Sequence, residues 1–251
     1  MTQRRAPVVG ITISSGSLSG LADRLRAIGV TVRERPLLTF AAPESWAPLD
    51  TALQRLPSYQ AVAVTSPRAA LAMAQRAEAL RVTAPKDLAV WAAGPATAAP
   101  LEDRFGPVHV PSSLVTIDAG AGSTLAGAML ASAVRAPVLF PCGDARRDEL
   151  PAILRASGVA VEEVQVYRSV LADPQSAREA VADTDAVLVA SPKVATLLAS
   201  VTRQGDRPAL VAIGPTTATA ARRAGWAPDG VARAPAVDAV LERIRDVLGL
   251  P

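Results

Sequence analysis

Two turn sequences occur twice in this chain, once in each half, and this duplication limits the possible folds more than any other feature. The Gly-Pro turn reads AAGPATA at 92–98 and AIGPTTA at 212–218. The Ser-Pro turn reads VTSPRAA at 64–70 and VASPKVA at 189–195. Each turn follows a short apolar run and precedes a helix-like segment, a pattern typical of the step from a buried strand to a helix.

The rest of each half follows the same order of strand-like and helix-like segments. LADRLRAIG at 21–29 corresponds to LPAILRASG at 150–158, for example. Each half therefore holds about five βα units, which predicts an α/β fold with helices on both faces of parallel sheets, and a flavodoxin-like strand count. Residues 30–40 and 159–170 are longer than a usual strand of about 5–6 residues, so we expect them to connect two domains.

Composition narrows the class of protein further. Half of the 251 residues are apolar, the formal net charge is +3, and Cys142 and His109 are the only residues of their types. A disulfide within the chain and a Cys/His metal site are therefore excluded. The mild positive charge forms no basic arm for nucleic acid and suits an anionic small molecule. The apolar run near the N-terminus is short, so we expect a cytoplasmic protein.

The repeated turns predict anion sites. Ser66 and Ser191 precede a proline, as N-cap residues do, and Gly94 and Gly214 precede a proline in the other two turns. Each helix N-terminus carries partial positive charge and unpaired N–H donors, so four such ends suit a ligand with several carboxylates or phosphates. Any βα protein also needs capped helices, so the turns alone leave a purely structural role open.

Polar side chains extend these helix starts. Thr97 is expected at the second helical position, and Thr216 and Thr217 at the second and third, with hydroxyls and N–H groups beyond the helix end. Arg68 and Lys193 follow the Ser-Pro turns, and they fit ligand contacts and solvated first-turn charges equally well.

The motifs together resemble the uroporphyrinogen-III synthase family. The resemblance covers most of the chain, and its most specific parts are the four turns above and LFPCGDARRDELPAILRASGVAVEEVQVYRSV at 139–170. It implies two flavodoxin-like parallel-sheet domains joined by two crossing strands, with the active site in the cleft between the domains. It also implies that domain one spans 1–36 and 171–251, domain two spans 40–167, and the linkers are 37–39 and 168–170.

The resemblance also implies a lyase of tetrapyrrole (heme) biosynthesis. Its substrate is hydroxymethylbilane, a linear tetrapyrrole with eight carboxylates, and its product is uroporphyrinogen III, formed with loss of water and inversion of ring D. No metal or organic cofactor is implied. The enzyme is expected to be a monomer that contacts hydroxymethylbilane synthase transiently and binds neither nucleic acid nor membrane.

The family pattern suggests a role for each candidate site residue. Tyr167 matches a characteristic tyrosine whose phenol donates a proton or hydrogen bond to the departing hydroxyl, and a packed hinge residue is the alternative. Substrate contacts are expected at Ser66, Arg68, Thr97, Ser123, Ser191, Lys193, Thr216 and Thr217. Relatives often carry Arg-Pro after the first strand, whereas this chain has Ser14, Ser15 and Gly16, which suit a neutral anion nest.

Two rival functions remain at this point. A non-catalytic two-domain module that binds or senses small anions would share the capped helices. A nucleotide phosphate enzyme is disfavoured because no Gly-x-x-x-x-Gly-Lys loop is present, and GAGSTLAG at 120–127 follows no clear strand. Arg146 and Arg147 lie in a turn before a helix, where a solvated face is the default interpretation.

Overall fold

The chain forms two compact units that interleave along the sequence. A computed structural model describes residues 5–14, 17–112 and 121–250. The first unit combines Met1–Thr39 with Val170–Pro251, and the second is Phe40–Ser169. Within the described ranges, none of the helices combines the length and the apolar composition needed to cross a membrane.

Strands and helices alternate along the whole chain. The strands are β1 (Val8–Ile11), β2 (Thr31–Glu34), β3 (Leu38–Ala41), β4 (Ala61–Val64), β5 (Ala89–Ala92), β6 (Val108–His109), β7 (Val138–Gly143), β8 (Val161–Leu171), β9 (Ala186–Val189), β10 (Ala209–Ala212) and β11 (Gly230–Val231). The helices are α1 (Leu21–Ala27), α2 (Ala47–Gln54), α3 (Pro67–Ala79), α4 (Pro95–Phe105), α5 (Ala121–Ala131), α6 (Glu149–Ala156), α7 (Pro174–Val181), α8 (Pro192–Val201), α9 (Pro215–Arg223) and α10 (Val237–Leu248). Short 3₁₀ turns follow α2 and α8.

Two sheets carry the two units. One has the strand order β11-β10-β9-β1-β2, and the other has the order β3-β8-β7-β4-β5-β6. The pairings β1–β2, β1–β9, β9–β10 and β10–β11 are parallel, as are β4–β5, β4–β7, β5–β6 and β7–β8. The first sheet has the 2-1-3-4-5 order of flavodoxin-like folds, counted along the chain of its unit. In the second sheet β7 and β8 take the places of strands 1 and 2, so the same order occurs in circularly permuted form. The predicted fold class is confirmed.

Each sheet combines strands from both halves of the duplicated sequence. Strands β1 and β2 pair with β9–β11, while β7 and β8 pair with β4–β6. The central strands β1, β4 and β9 are buried along their whole length, as expected for parallel strands covered by helices on both faces. Separate clusters of buried apolar side chains fill the two faces of each sheet.

The first of the two long segments is interrupted, contrary to the prediction of a continuous strand over 30–40. Strands β2 and β3 are separated at 35–37, where Pro36 lacks the N–H that a ladder needs. Leu37 is buried, its N–H donates to the Thr12 carbonyl at 3.1 Å, and its carbonyl accepts from Ala172 at 3.0 Å. The second long segment is the 11-residue strand β8. The division between the units falls within β3 and β8.

Candidate functional site

A cavity lies at the carboxyl edge of the sheet in the second unit. Its volume is about 380 Å³, and the turns after β4 and β7, the end of β8 and the start of α5 form its walls. The lining residues are Thr65, Ser66, Ala121, Gly122, Phe140, Cys142, Gly143, Arg146, Arg147, Glu149, Leu150 and Tyr167. This edge is where parallel α/β sheets bind ligands.

The position of Tyr167 depends on a glycine in the neighbouring strand. Tyr167 pairs with Gly143 where the β7–β8 register shifts between Cys142 and Gly143. A Cβ atom at position 143 would lie 2.3 Å from Cζ, 2.4 Å from Cε2 and 2.6 Å from the hydroxyl oxygen of Tyr167. The phenol ring therefore covers Gly143 directly, and a larger residue fits there only if the ring moves.

Tyr167 also contacts two of the other predicted site regions. Its hydroxyl lies 3.5 Å from Ser66 Oγ, and its ring meets Phe40 edge-on at 5.8 Å between centroids. The Arg68 guanidinium carbon lies 3.4 Å from the Phe40 ring centroid and 5.6 Å from that of Tyr167, within cation–π range. The structure thus brings Ser66, Arg68 and Tyr167 together, and Arg68 stacks on an aromatic ring.

Charged groups form another wall of the cavity. Arg146 makes ion pairs through Nε with Glu163 and through Nη1 with Asp148. Glu163 also accepts from Arg155 Nη1 at 2.8 Å. Arg147 is exposed beside this network, with Nη1 3.8 Å from Glu149 Oε1. The two arginines give the cavity cationic groups, although the sequence pattern favours a solvated face for both.

The single cysteine and the single histidine have structural surroundings. Burial raises the pKa of the Cys142 thiol to about 11, with a smaller opposing contribution from Arg146. The thiol is therefore protonated at neutral pH and is a poor nucleophile. His109 lies in β6, the edge strand of its sheet, and stacks on Trp91 with 4.6 Å between the ring centroids.

The two Ser-Pro turns cap their helices differently. Ser66 Oγ accepts from Ala69 N at 3.1 Å, whereas Ser191 makes no side-chain cap hydrogen bond within the described part of the chain. We expect Ser66→Ala to lower the free energy of unfolding by about 1 kcal/mol, the usual value of an N-cap bond, and Ser191→Ala to lower it less. Urea denaturation of the two variants checks this difference. Equal losses would show that the Ser66 cap bond does not contribute.

The threonines of the Gly-Pro turns require a correction. Gly94 is the N-cap of α4, so Thr97 is the third helical residue instead of the second, and its N–H donates to the Gly94 carbonyl at 3.0 Å. Thr97 and its counterpart Thr217 are only 4% and 3% exposed. Neither points freely beyond its helix end as expected, because position N3 turns its side chain back into the core.

The residues of the first unit that were predicted to contact substrate lie at the carboxyl edge of the sheet of that unit. Ser191 is half-buried at the start of α8, and Lys193 is exposed one residue into that helix. Thr216 is exposed at the start of α9 and lines a groove with Pro192 and Thr196 of α8. The two repeated turns of this unit are thus neighbours on one surface.

Two further predictions concern loops near the ends of the described ranges. Ser123 is half-buried in the first turn of α5, next to the cavity-lining Gly122. Ser14 Oγ donates to the Leu38 carbonyl at 2.8 Å, which occupies its hydroxyl. Ser15 and Gly16, the rest of the predicted nest, lie outside the described residues.

Three features of the site were missed by sequence reasoning. Gly143 has a weak signal, since CGD after an apolar strand indicates a turn but not a ring above it. Phe40 belongs to a segment for which the sequence suggests only a connecting role. Glu163 lies in an extended segment whose partners cannot be identified from spacing. Over residues 5–14, 17–112 and 121–250, no cluster of three or more His, Cys, Asp or Glu side chains is placed to hold a metal ion.

Comparison with known families and proteins gives consistent matches. The model of the family "Uroporphyrinogen-III synthase HemD" matches residues 19–242. A uroporphyrinogen-III synthase from Synechococcus elongatus is 28% identical over 170 residues, which cover 65% of this chain. The match spans 62% of that relative's length.

Solved structures give the same fold at low identity. A mutant uroporphyrinogen III synthase from Thermus thermophilus superposes with a TM-score of 0.65 at 17% identity, covering 97% of this chain and 99% of its own. The synthetase from Helicobacter pylori 26695 gives 0.61 at 16% identity, covering 96% and 99%. Identities this low concern the fold alone.

Proposed function

Because this chain belongs to the uroporphyrinogen-III synthase family, we propose that it is a lyase that cyclises hydroxymethylbilane to uroporphyrinogen III. The family match over residues 19–242 is the observation that carries this proposal. The local chemistry of the second unit supports it, because a phenol, a serine hydroxyl and two arginines line one cavity. The product is a precursor of heme and other tetrapyrroles.

Tyr167 is the proposed proton donor. The phenol donates a hydrogen bond to the terminal hydroxyl of the substrate and transfers its proton as the C–O bond breaks. Water leaves, and a resonance-stabilised azafulvene cation and a phenolate remain. Ser66 Oγ accepts from Ala69 N and lies 3.5 Å from the phenol oxygen, so it is a polar neighbour of the proposed donor. The last pyrrole ring then attacks through its substituted carbon, which forms a spiro intermediate. The bond from that carbon to its original methylene bridge breaks, and the bridge carbon bonds instead to the free α-carbon of the same ring. Loss of the proton from this α-carbon, to the phenolate or to solvent, gives the inverted ring D.

Control of geometry is the main task in this proposal. Closure without the protein gives the non-inverted type I isomer, so the protein must hold the chain in the conformation that leads to inversion. Carboxylate contacts are proposed for Ser66, Arg68, Ser123, Ser191, Lys193 and Thr216, all at helix starts. Thr97 and Thr217 are too buried to offer much surface, so their proposed part is to fix the shape of the Gly-Pro turns.

The proposal includes the organisation of the protein and its working partners. The two compact units are taken as the two domains of the family, with Leu37–Thr39 and Arg168–Val170 as the connections. The protein is proposed to act as a cytoplasmic monomer that meets hydroxymethylbilane synthase only while the unstable substrate is transferred.

Isomer analysis tests the proposed activity. Hydroxymethylbilane is generated in situ, the products are oxidised to porphyrins, and the type I and type III isomers are separated. We expect type III with the native protein and type I with a heat-denatured sample. A native protein that yields type I alone, even while it binds the tetrapyrrole, would instead identify a non-catalytic anion-binding module.

A further inference from the structure

Arg146 is held between two carboxylates of very different exposure. Its Nε pairs with Glu163, whose side chain is 17% exposed, and its Nη1 pairs with Asp148, whose side chain is 81% exposed. A guanidinium has five N–H donors, of which these two pairs use Nε and Nη1. Arg146 itself lines the cavity that contains Ser66 and Tyr167. The arginine therefore has one fixed partner and one that solvent can replace.

The inner partner is fixed by its own surroundings. Glu163 lies in β8 opposite Phe140 of β7, and its second oxygen accepts from Arg155 Nη1 at 2.8 Å. A carboxylate that is only 17% exposed has little freedom to move away from its two arginines, because a largely buried charge without a partner is costly. Glu163 thus orients the guanidinium plane of Arg146.

The outer partner has an alternative position of its own. Asp148 is the N-cap residue of α6, yet its side chain makes no cap hydrogen bond to the described residues while it pairs with Arg146. Aspartate is among the best N-cap residues. The backbone of Asp148 is helical, with φ −85° and ψ −7°, so a cap bond from the amide of Leu150, at position N2, requires Asp148 to change to an extended backbone. Position N3 is Pro151, which has no N–H, so Leu150 is the available donor.

We propose that Arg146 binds a carboxylate of the substrate, that Glu163 is a positioning residue for it, and that Asp148 occupies the carboxylate's place until the substrate displaces it. The inference rests on the proposed function, since it assigns a polycarboxylate ligand to the same cavity. An exposed ion pair is weak and therefore exchangeable, whereas a bidentate Arg–carboxylate contact in a cavity is strong. The displaced Asp148 is then free to adopt the extended backbone in which its carboxylate can cap α6.

The test uses the direction in which KM for hydroxymethylbilane changes when Asp148 is replaced. Asp148→Asn removes the competing charge but keeps a good N-cap residue, so it should lower the KM for hydroxymethylbilane by about two- to five-fold with little change in kcat. Arg146→Gln should raise KM by roughly ten-fold or more, the loss expected for a charge-assisted hydrogen bond. In the Arg146→Gln background, Asp148→Asn should have no further effect.

A second set of variants tests whether Glu163 acts on substrate binding by positioning Arg146. Glu163→Gln should raise KM more than it lowers kcat, and it should add little to Arg146→Gln, since both act on one contact. Glu163→Asp, which keeps the carboxylate, should recover part of the affinity and covers the case in which the glutamine variant folds poorly. Asp246→Asn removes an aspartate that pairs with Arg243 in α10 at 3.4 Å, and this control should leave KM unchanged.

Two results would overturn the inference in distinguishable ways. If the native protein forms type III product but Asp148→Asn leaves KM unchanged or raises it, Asp148 does not compete with substrate and the inference alone fails. If the native protein forms only type I product, the proposed function fails and the inference fails with it.

Discussion

Replacing Gly143 with alanine should lower kcat for type III formation by about a hundred-fold or more, as much as loss of a positioned proton donor. The new methyl group would lie 2.3–2.6 Å from three atoms of the Tyr167 phenol, closer than atoms can approach. The ring is the far end of a side chain and can rotate away, so the free energy of unfolding should fall by only about 1–2 kcal/mol. Activity and stability are measured on the same preparation.

Two variants separate the clash with the Tyr167 ring from the effect that any glycine-to-alanine substitution has on the backbone. Gly127→Ala in α5 has open space at its Cβ position, so it should keep full activity and gain up to about 1 kcal/mol of helix stability. In a Tyr167→Ala background, Gly143→Ala should cost little stability, because the clash is gone. A Gly143→Ala protein with native kcat would show that the ring position above Gly143 is unimportant for turnover.

Tyr167→Phe should reduce kcat by about a hundred-fold through loss of the phenolic proton alone. The ring contacts with Phe40 and the space above Gly143 are kept in this variant. The hydroxyl approaches Ser66 Oγ at 3.5 Å, which is too long to contribute much stability. The free energy of unfolding should therefore change by less than about 1 kcal/mol.

Steady-state kinetics and urea denaturation check this expectation, with Tyr59→Phe as the matched control. Tyr59 is buried, and its hydroxyl donates to Glu162 Oε2 at 2.7 Å, so the control should lose stability and keep its kcat. Burial and the Glu162 carboxylate raise the pKa of Tyr59 to about 12, which keeps its phenol protonated. Native kcat in Tyr167→Phe would remove the proton-donor role and favour the packed-hinge interpretation.

The fold could be predicted from the sequence because its units are local and repeated. Each Ser-Pro or Gly-Pro turn marks the end of a buried strand and the start of a helix, and two copies of the same order predict two similar sheets. The sequence also contains a signal for the break at Pro36, because proline cannot donate a hydrogen bond to a neighbouring strand. The flanking apolar residues of 30–40 nevertheless favour a single strand. Exchange of strands between the halves follows only from the family resemblance.

The site could be predicted only in part, because its contacts join residues distant in sequence. Ser66 and Tyr167 meet because β7 lies between β4 and β8, an order that periodicity does not specify. The ring above Gly143 depends on a register shift, and the stacking of Arg68 on Phe40 depends on where β3 begins. The prediction places Thr97 one position too early, although counting from Pro95 as the first helical residue already gives the third position. At a helix N-terminus one position separates an exposed side chain from a buried one.

The isomer ratio as a function of protein concentration tests the proposed activity most directly, because spontaneous closure of hydroxymethylbilane competes with the enzyme at a fixed rate. As the protein is titrated into a constant supply of substrate, the type III share of the product should rise from a background level to nearly all of it. A type I share that stays constant over the whole titration would contradict the assignment.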